Sequence, residues 1–223
     1  MQECRLSANN LACQRGDRVL FAGVDFALAP GEALLVAGPN GIGKSSLMRM
    51  LAGLLRPLAG DVEGVGAMGL MDERPALDLT EPLGKALAFW QRIDGSREVD
   101  LTRLGLAHLL DVPVGYLSTG QKKRAALARL IGQATPIWLL DEPLNGLDSD
   151  AVALVEELVA EHREGGGIAV IASHQPMVLG DAARLDLMNY ASPLPGGEGP
   201  GVGVPGQQPG TPPPNPPPHG GGL

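Results

Sequence analysis

Short runs of apolar residues alternate with amphipathic segments along most of the chain. The apolar runs at 33–37, 137–140 and 168–172 have the length of buried strands. Amphipathic stretches with helical spacing follow the first two runs, and the second of these stretches spans about 149–162. Strands that are apolar throughout and separated by helices predict an α/β fold with a mostly parallel sheet flanked by helices on both faces.

Local sequence signals set the expected ends of the two helices. Arg56-Pro57 is expected to end the first helix, and the glycines at 165–167 to break the second. The first helix is expected to present Leu47, Met50, Leu51 and Leu54 on one face, and the second Val152, Val155, Leu158 and Val159.

The segment from about 72 to 116 has a different pattern. Its apolar residues recur at helical spacing in two separate stretches, with no apolar run of strand length between them. We therefore expect a short helical insert between two parts of the sheet domain. The residues that carry this expectation are Leu83, Leu87 and Trp90 in one stretch and Leu101, Leu104 and Leu109 in the next.

Composition predicts where the domain ends. Residues 192–223 are nearly all Gly, Pro or small polar residues, and Glu198 is their only charge. Such a segment has too little apolar surface to offset the entropy lost on ordering. We expect one domain over 1–191 and a Gly/Pro-rich disordered tail over 192–223.

Charge and cysteine content narrow the classes of function. The chain has 17 basic and 25 acidic residues and a net charge of −8, which argues against nucleic acid as a partner. Its two cysteines, Cys4 and Cys13, are too few for a disulfide framework and fit a reducing compartment. The first residues lack a leader pattern, and no stretch approaches the roughly 20 apolar residues of a membrane span, so we expect neither element.

A phosphate-binding motif follows the first apolar run. The pattern G-x-x-x-x-G-K-[ST] is met at every fixed position, between a predicted strand and a predicted helix. Its glycines let successive amides point at phosphate oxygens, Lys44 supplies charge near the outer phosphates, and the Ser45 hydroxyl suits Mg²⁺. The predicted nucleotide-binding residues are Gly38, Pro39, Asn40, Gly41, Ile42, Gly43, Lys44, Ser45 and Ser46.

Two acidic residues follow the second apolar run. The carboxyl end of a parallel strand faces the crevice where ligands bind, so Asp141 is positioned to hold Mg²⁺. Glu142 lies one residue further and could orient a water molecule towards the terminal phosphate. With the phosphate loop about 100 residues earlier, the pair predicts nucleotide hydrolysis.

A third motif identifies the family. The segment Leu117-Ser118-Thr119-Gly120-Gln121, followed by a basic helix, resembles the signature motif of ATP-binding cassette (ABC) ATPases. Ser118 and Gln121 could also form a simple helix capping box. Residues 145–148 resemble the family's D-loop and His174 its switch histidine, and the resemblance covers roughly residues 5–190. It implies a P-loop NTPase fold and an ATPase that uses ATP and Mg²⁺.

Softer features are similar to one branch, the haem-exporter ATPases of cytochrome c biogenesis. They are the segment Arg15-Gly16-Asp17-Arg18-Val19-Leu20-Phe21 and the pairs Leu79-Thr80 and Phe89-Trp90 in the insert. This branch implies transport of haem or a haem-carrying chaperone in cytochrome c maturation. It also implies a separate membrane-spanning permease and a peripheral position on the cytoplasmic face of the inner membrane.

The family resemblance also implies a site shared between two copies of the chain. In this site Ser118 and Gly120 of one copy would face the other copy's Lys44, Ser45, Asp141, Glu142 and His174, and Gln121 is a further predicted nucleotide-binding residue. The adenine-stacking position falls on Arg15, whose guanidinium plane can replace the usual aromatic ring. The family's Q-loop glutamine has no obvious counterpart: Gln91 lies slightly late and on a predicted helix, while Asp72 and Glu73 lie near the strand end.

Three alternatives remain at this stage. The first two are a cytochrome c maturation ATPase and another small ABC transporter ATPase, which gene context would separate. The third is a soluble ABC scaffold of the iron–sulfur assembly type, which membrane fractionation would separate from both. A DNA-repair type of ABC ATPase needs a long coiled-coil insertion, for which the gap between Lys44 and Ser118 leaves no room.

Overall fold

The computed structural model describes residues 4–94 and 97–191, which form eight strands and four α-helices. The strands are β1 Arg5–Arg15, β2 Arg18–Leu28, β3 Ala33–Ala37, β4 Ala59–Val65, β5 Met68–Met71, β6 Ile137–Asp141, β7 Ile168–Ala172 and β8 Ala183–Asp186. The helices are α1 Lys44–Leu51, α2 Leu83–Asp94, α3 Thr119–Gly132 and α4 Ser149–Glu164.

A five-stranded parallel sheet in the order β5-β6-β7-β3-β8 forms the centre of the fold. The three predicted apolar runs are its three middle strands, so the α/β expectation is confirmed. Alternate residues of β6 enter opposite cores: Ile137 and Leu139 pack with α1, whereas Trp138 and Leu140 pack with α3 and α4. Full burial of each such aliphatic side chain contributes about 1.5–3 kcal/mol, which explains why the strands are apolar on both faces.

A second, antiparallel sheet in the order β2-β1-β4 covers the α1 side of the molecule. Buried Leu11, Phe21 and Leu28 from this sheet join the core around Leu47 and Met48 of α1. The register of β1 shifts at three positions against β2 and at one position against β4. These shifts break the strict alternation that a half-buried strand shows, and the sequence pattern therefore did not reveal this sheet.

Helix α1 is shorter than expected and ends at Leu51, not at Arg56-Pro57. The Leu54 amide donates to the Arg49 carbonyl and the Gly53 amide to the Met50 carbonyl, with Gly53 at a φ of +72°. This Schellman closure turns the chain away after Ala52. Leu54 is consequently 70% exposed, and its expected place on the apolar face is wrong.

One of the two predicted helical stretches of the insert forms an α-helix in the structure. Helix α2 carries Leu83 and Leu87 into the core, as expected. The second stretch forms turns and a single 3-10 turn at Ala107–Leu109, so an α-helix there is wrong. The Asp100 carboxylate accepts from the Thr102 and Arg103 amides as a helix N-cap does. Gly105, at a φ of +63°, ends this turn at once, and the Leu106 amide donates back to the Leu101 carbonyl. The predicted boundaries of the insert and of the domain stay predictions, and the tail over 192–223 lies outside the described residues.

Candidate active site at the carboxyl edge of the parallel sheet

The carboxyl ends of three neighbouring parallel strands bring the predicted site residues together. The sheet order places β6 beside β7 and β7 beside β3. The loop after β3 leads into Lys44, Asp141 ends β6, and His174 follows β7 by two residues. Because all three strands run in the same direction, these side chains meet at one edge of the sheet, the usual ligand crevice of this architecture.

The phosphate loop lies between β3 and the first turn of α1. The buried Lys44 ammonium donates to the Gly38 carbonyl at 2.8 Å and reaches the Pro39 carbonyl at 3.5 Å. Gly43 has a φ of +118°, and a Cβ there would come within 2.9 Å of the Phe21 ring. Only glycine fits this position, and the loop conformation that it permits directs the amides before α1 towards an anion.

The other predicted loop residues divide into buried and exposed positions. Ile42 and Ser46 are buried and support the loop from the α1 side, whereas Asn40 and Gly41 lie at its exposed tip. Ser45 is exposed, so its hydroxyl is available to a ligand.

Glu142 bridges the phosphate loop and the segment after β7. Its Oε1 lies 3.2 Å from the Lys44 Nζ, and its Oε2 lies 2.8 Å from the His174 Nδ1. The amide of Glu142 donates to the Ala172 carbonyl at 2.8 Å. The three residues predicted as catalytic therefore form one connected group within the folded chain.

Asp141 is a buried carboxylate that lacks a full set of partners. It is 2% exposed, and its Oδ1 has no hydrogen-bond partner within the described residues. Burial raises the pKa of Asp141, and the Ser45 hydroxyl partly offsets this rise. Nearby Glu142 and Glu73 add to it, because like charges favour the protonated form. An unpartnered carboxylate oxygen beside a hydroxyl suits a hard cation such as Mg²⁺.

The signature segment begins α3 and makes no hydrogen bond with the phosphate loop within the described residues. Ser118 Oγ accepts from the Gln121 amide at 3.2 Å, and the Gln121 Oε1 accepts from the Ser118 amide at 2.8 Å. The capping box is thus formed, and Ser118 remains exposed. Within residues 4–94 and 97–191, no hydrogen bond joins Ser118, Gly120 or Gln121 to Lys44 or Glu142.

Arg15 lies at the exposed end of β1, beside the hairpin turn to β2. Cys13 lies two residues earlier on β1 and is buried. Burial raises the pKa of Cys13, and the Ser46 hydroxyl and the charge of Arg15 partly offset that rise.

Two residues near the site have no motif signal of their own. Glu73 follows β5 and lies close enough to Asp141 to raise its pKa. Lys123, on α3, donates from its Nζ to the Glu142 backbone carbonyl. Glu73 could have been suspected, because it follows a parallel strand. Lys123 could not, because its position depends on how α3 packs beside β6.

None of the helices within 4–94 and 97–191 combines the length and the apolar character needed to cross a bilayer.

Comparison with known proteins places the chain in a family. A family model described as ABC transporter matches residues 21–145. The chain is 54% identical over 190 residues to the cytochrome c biogenesis ATP-binding export protein CcmA of Novosphingobium aromaticivorans, covering 85% of this chain and 99% of that protein. It is 46% identical over 191 residues to the CcmA of Zymomonas mobilis, covering 84% and 86%.

Solved structures agree on the fold. One, described as a metal-chelate type ABC transporter in an inward-facing conformation, matches with a TM-score of 0.69 at 26% identity, over 82% of this chain and 80% of that one. Another, an ABC transporter ATP-binding protein from Pyrococcus furiosus, matches with a TM-score of 0.71 at 22% identity, over 84% of this chain and all of that one. The expected P-loop NTPase fold is confirmed. From the phosphate loop, the acidic end of β6 and these matches together, the chain belongs to the ABC transporter family as an ATP-binding, ATP-hydrolysing subunit similar to the CcmA proteins.

Proposed function

We propose that this chain drives an export step of cytochrome c maturation by hydrolysing ATP, and that haem or a haem-carrying chaperone is the material handled. The observation that carries the hydrolytic role is the Glu142 bridge between Lys44 and His174, with contacts of 3.2 and 2.8 Å. The names of its relatives, cytochrome c biogenesis ATP-binding export proteins, supply the biological setting.

Glu142 would act as the group that orients the attacking water. In the chain alone, its carboxylate is held by Lys44 on one oxygen and by His174 on the other. The terminal phosphates of ATP would compete for the Lys44 ammonium and release Oε1 to accept a proton from water. A positioned general base of this kind contributes about 10²–10⁴-fold to a rate.

Asp141 and Ser45 are the residues that would hold Mg²⁺. The unpartnered Oδ1 of Asp141 and the exposed Ser45 hydroxyl lie at the same edge of the sheet. The ion that these residues would hold would supply positive charge next to the phosphates of the nucleotide. Burial of Asp141 disfavours its free ionised form, so a cation has an uncompensated carboxylate to bind.

A second copy of the chain would complete each nucleotide site. Ser118 is exposed at the start of α3, and Gly120 leaves the helix N-terminus open to an anion. Neither makes a hydrogen bond with Lys44 within the described part of the same chain, and both would instead donate to the γ-phosphate held by the partner copy. Arg15 would stack on the adenine. ATP would then join two copies, and hydrolysis would release them.

A membrane-spanning permease is the remaining partner that we propose. Four large apolar side chains of the insert are exposed. Their exposed fractions are 54% at Leu79, 49% at Phe89, 58% at Ile93 and 85% at Tyr116. Such side chains favour contact with another protein. We place the chain on the cytoplasmic face of the inner membrane, held by that permease, with no role for nucleic acid.

Gene deletion tests this assignment. Deleting the gene should abolish covalently bound haem in the c-type cytochromes of the source organism, as measured by haem staining. The wild-type gene should restore it, and the Glu142→Gln variant should not. The Glu63→Gln variant is a matched control, since it makes the same chemical change at an exposed position on β4, away from the site and the insert. Normal cytochrome c levels after deletion would refute the biological role.

A further inference from the structure

Lys123 is a partly buried cation that the proposed hydrolysis does not use. It lies one helical turn into α3, and its ammonium donates to the backbone carbonyl of Glu142. Burial lowers the pKa of Lys123, whereas the acidic groups of Glu142, Glu73 and Asp141 oppose that shift. A partly buried ammonium at this position needs a specific acceptor, and within residues 4–94 and 97–191 that acceptor is the Glu142 carbonyl.

The backbone of Glu142 needs such support. Its φ is +50°, in the left-handed region, which is unfavourable for a residue that carries a side chain. A residue remains in this conformation only where its surroundings hold it. The Ala172 carbonyl holds the amide of Glu142 at 2.8 Å, and Lys123 holds its carbonyl, which also lies 3.4 Å from the Asn145 amide.

The same helix touches the following loop at a second place. A Cβ at Gly120 would come within 3.3 Å of the Gly146 carbonyl, and a Cβ at Gly146 within 3.1 Å of the Thr119 methyl. The start of α3 therefore packs directly on the loop that follows Glu142. A shift of α3 would move that loop, because the Lys123 hydrogen bond and the packing of Gly120 on Gly146 both join the helix to it.

We propose that Lys123 is a positioning residue, which fixes the backbone of Glu142 so that its carboxylate lies between Lys44 and His174. This inference rests on the proposed role of Glu142 in hydrolysis. Ser118 on the same helix would contact the nucleotide of the partner copy. The Lys123 link thus connects the signature segment, which serves one nucleotide site, to the carboxylate that serves the other.

Replacement of Lys123 in the full-length chain tests the link. Lys123→Met should lower kcat for ATP hydrolysis by about tenfold or more, the scale of a displaced reacting group, and leave KM for MgATP within about twofold. Lys123→Arg should recover most of the rate, because it restores a donor. Lys122→Met is the matched control: its ammonium donates to the Gly115 carbonyl at 2.9 Å, and its kcat should not change. If Lys123→Met folds poorly, Lys123→Ala replaces it, since alanine also lacks a donor and is a strong helix former.

A double-mutant cycle separates this inference from the proposed function. In a Glu142→Gln background, Lys123→Met should cause no further loss of the residual rate, since the residue acts through Glu142. An equal loss in both backgrounds, or an unchanged kcat in Lys123→Met, would overturn the inference alone. Wild-type hydrolysis by Glu142→Gln would instead overturn the proposed role of Glu142.

A crystal structure of the Lys123→Met variant gives a readout that does not depend on activity. Glu142 should leave the left-handed region and lose at least one of its contacts with Lys44 and His174. A φ that stays near +50° with both contacts intact would show that Lys123 does not position Glu142.

Discussion

At Asp141, protein stability and cation binding make opposite demands. The carboxylate is buried, and one of its oxygens has no partner in the described part of the chain. Its pKa is raised in the folded state, mainly by burial, so the folded chain holds the proton more tightly than the unfolded chain does. The stabilising contribution of this group is complete below its ordinary pKa of about 3.9 and is lost as pH rises through the folded value.

We therefore expect Asp141→Asn to stabilise the ligand-free protein at pH 7, by about 1 kcal/mol or 2–4 °C in Tm. The gain should shrink as the pH is lowered and wild-type Asp141 becomes protonated. The same variant should lose most of the stabilisation that MgATP gives the wild type. Thermal unfolding with and without MgATP measures both effects.

Asp72→Asn is the matched control for Asp141→Asn. Asp72 is paired with Arg49 at 3.7 Å, and both side chains are partly exposed. Its replacement should change stability by less than about 0.5 kcal/mol. A ligand-free Asp141→Asn protein that is less stable than the wild type would contradict the account of the buried charge.

Lys44 offers a second prediction at the same scale. Lys44→Ala removes the cation that the loop carbonyls and Glu142 now hold, and with it the charge offered to the outer phosphates. Hydrolysis should fall by about 10²-fold or more, because such groups supply much of phosphoryl-transfer catalysis. Lys85→Ala should keep the wild-type rate. Turnover at the wild-type level in Lys44→Ala would remove the basis for this reading of the loop.

At the scale of elements, Ser118 combines two roles that substitution can separate. Its hydroxyl caps α3 in this chain and would reach a γ-phosphate held by a second copy. Ser118→Ala should lower the free energy of unfolding by about 1 kcal/mol, whereas Ser118→Asn should keep the cap. Both should lose hydrolysis, since neither carries the hydroxyl. Urea unfolding and an ATPase assay check the two effects, and full activity in Ser118→Asn would count against the shared site.

The elements that the sequence predicted well are those with one dominant constraint. Strands β3, β6 and β7 are buried on both faces, and their short apolar runs therefore indicated buried strands. Helix α4 was bounded by Asp148, which accepts from the Ala151 amide, and by the glycines after Glu164. The predicted end of helix α1 was wrong. Gly53 adopts a left-handed φ and ends the helix before the helical spacing of apolar residues stops.

The candidate site also contains residues that the sequence predicted and residues that it did not. Lys44, Asp141 and Glu142 were found because each sits in a contiguous motif next to a strand. The sequence did not reveal Lys123 or the left-handed backbone of Glu142, because both follow from the packing of α3 against the end of β6.

At the scale of the whole molecule, the last described residue, Ala191, is still part of the folded domain. Ala191 makes an antiparallel bridge to Phe21 in the core sheet, one residue before the Gly/Pro-rich segment begins. Removing residues 192–223 should therefore leave Tm within about 2 °C and the ATPase rate unchanged, since surface changes of this kind cost little. Calorimetry of the full and shortened chains checks this expectation. A large loss of Tm would show that the segment packs on the domain.

The central claim is that Glu142 drives hydrolysis in a site shared by two copies of the chain. Glu142→Gln keeps the shape of the side chain but cannot take the proton of the attacking water, whereas Lys44, Ser45 and Asp141 remain to bind MgATP. The most direct measurement is gel filtration of this variant with and without ATP and Mg²⁺, with Asp141→Asn as the control that should form no stable dimer. The account predicts that Glu142→Gln binds ATP and elutes as a dimer only when ATP is present. A Glu142→Gln chain that binds ATP and still elutes as a monomer, alone and with its membrane partner, would contradict it.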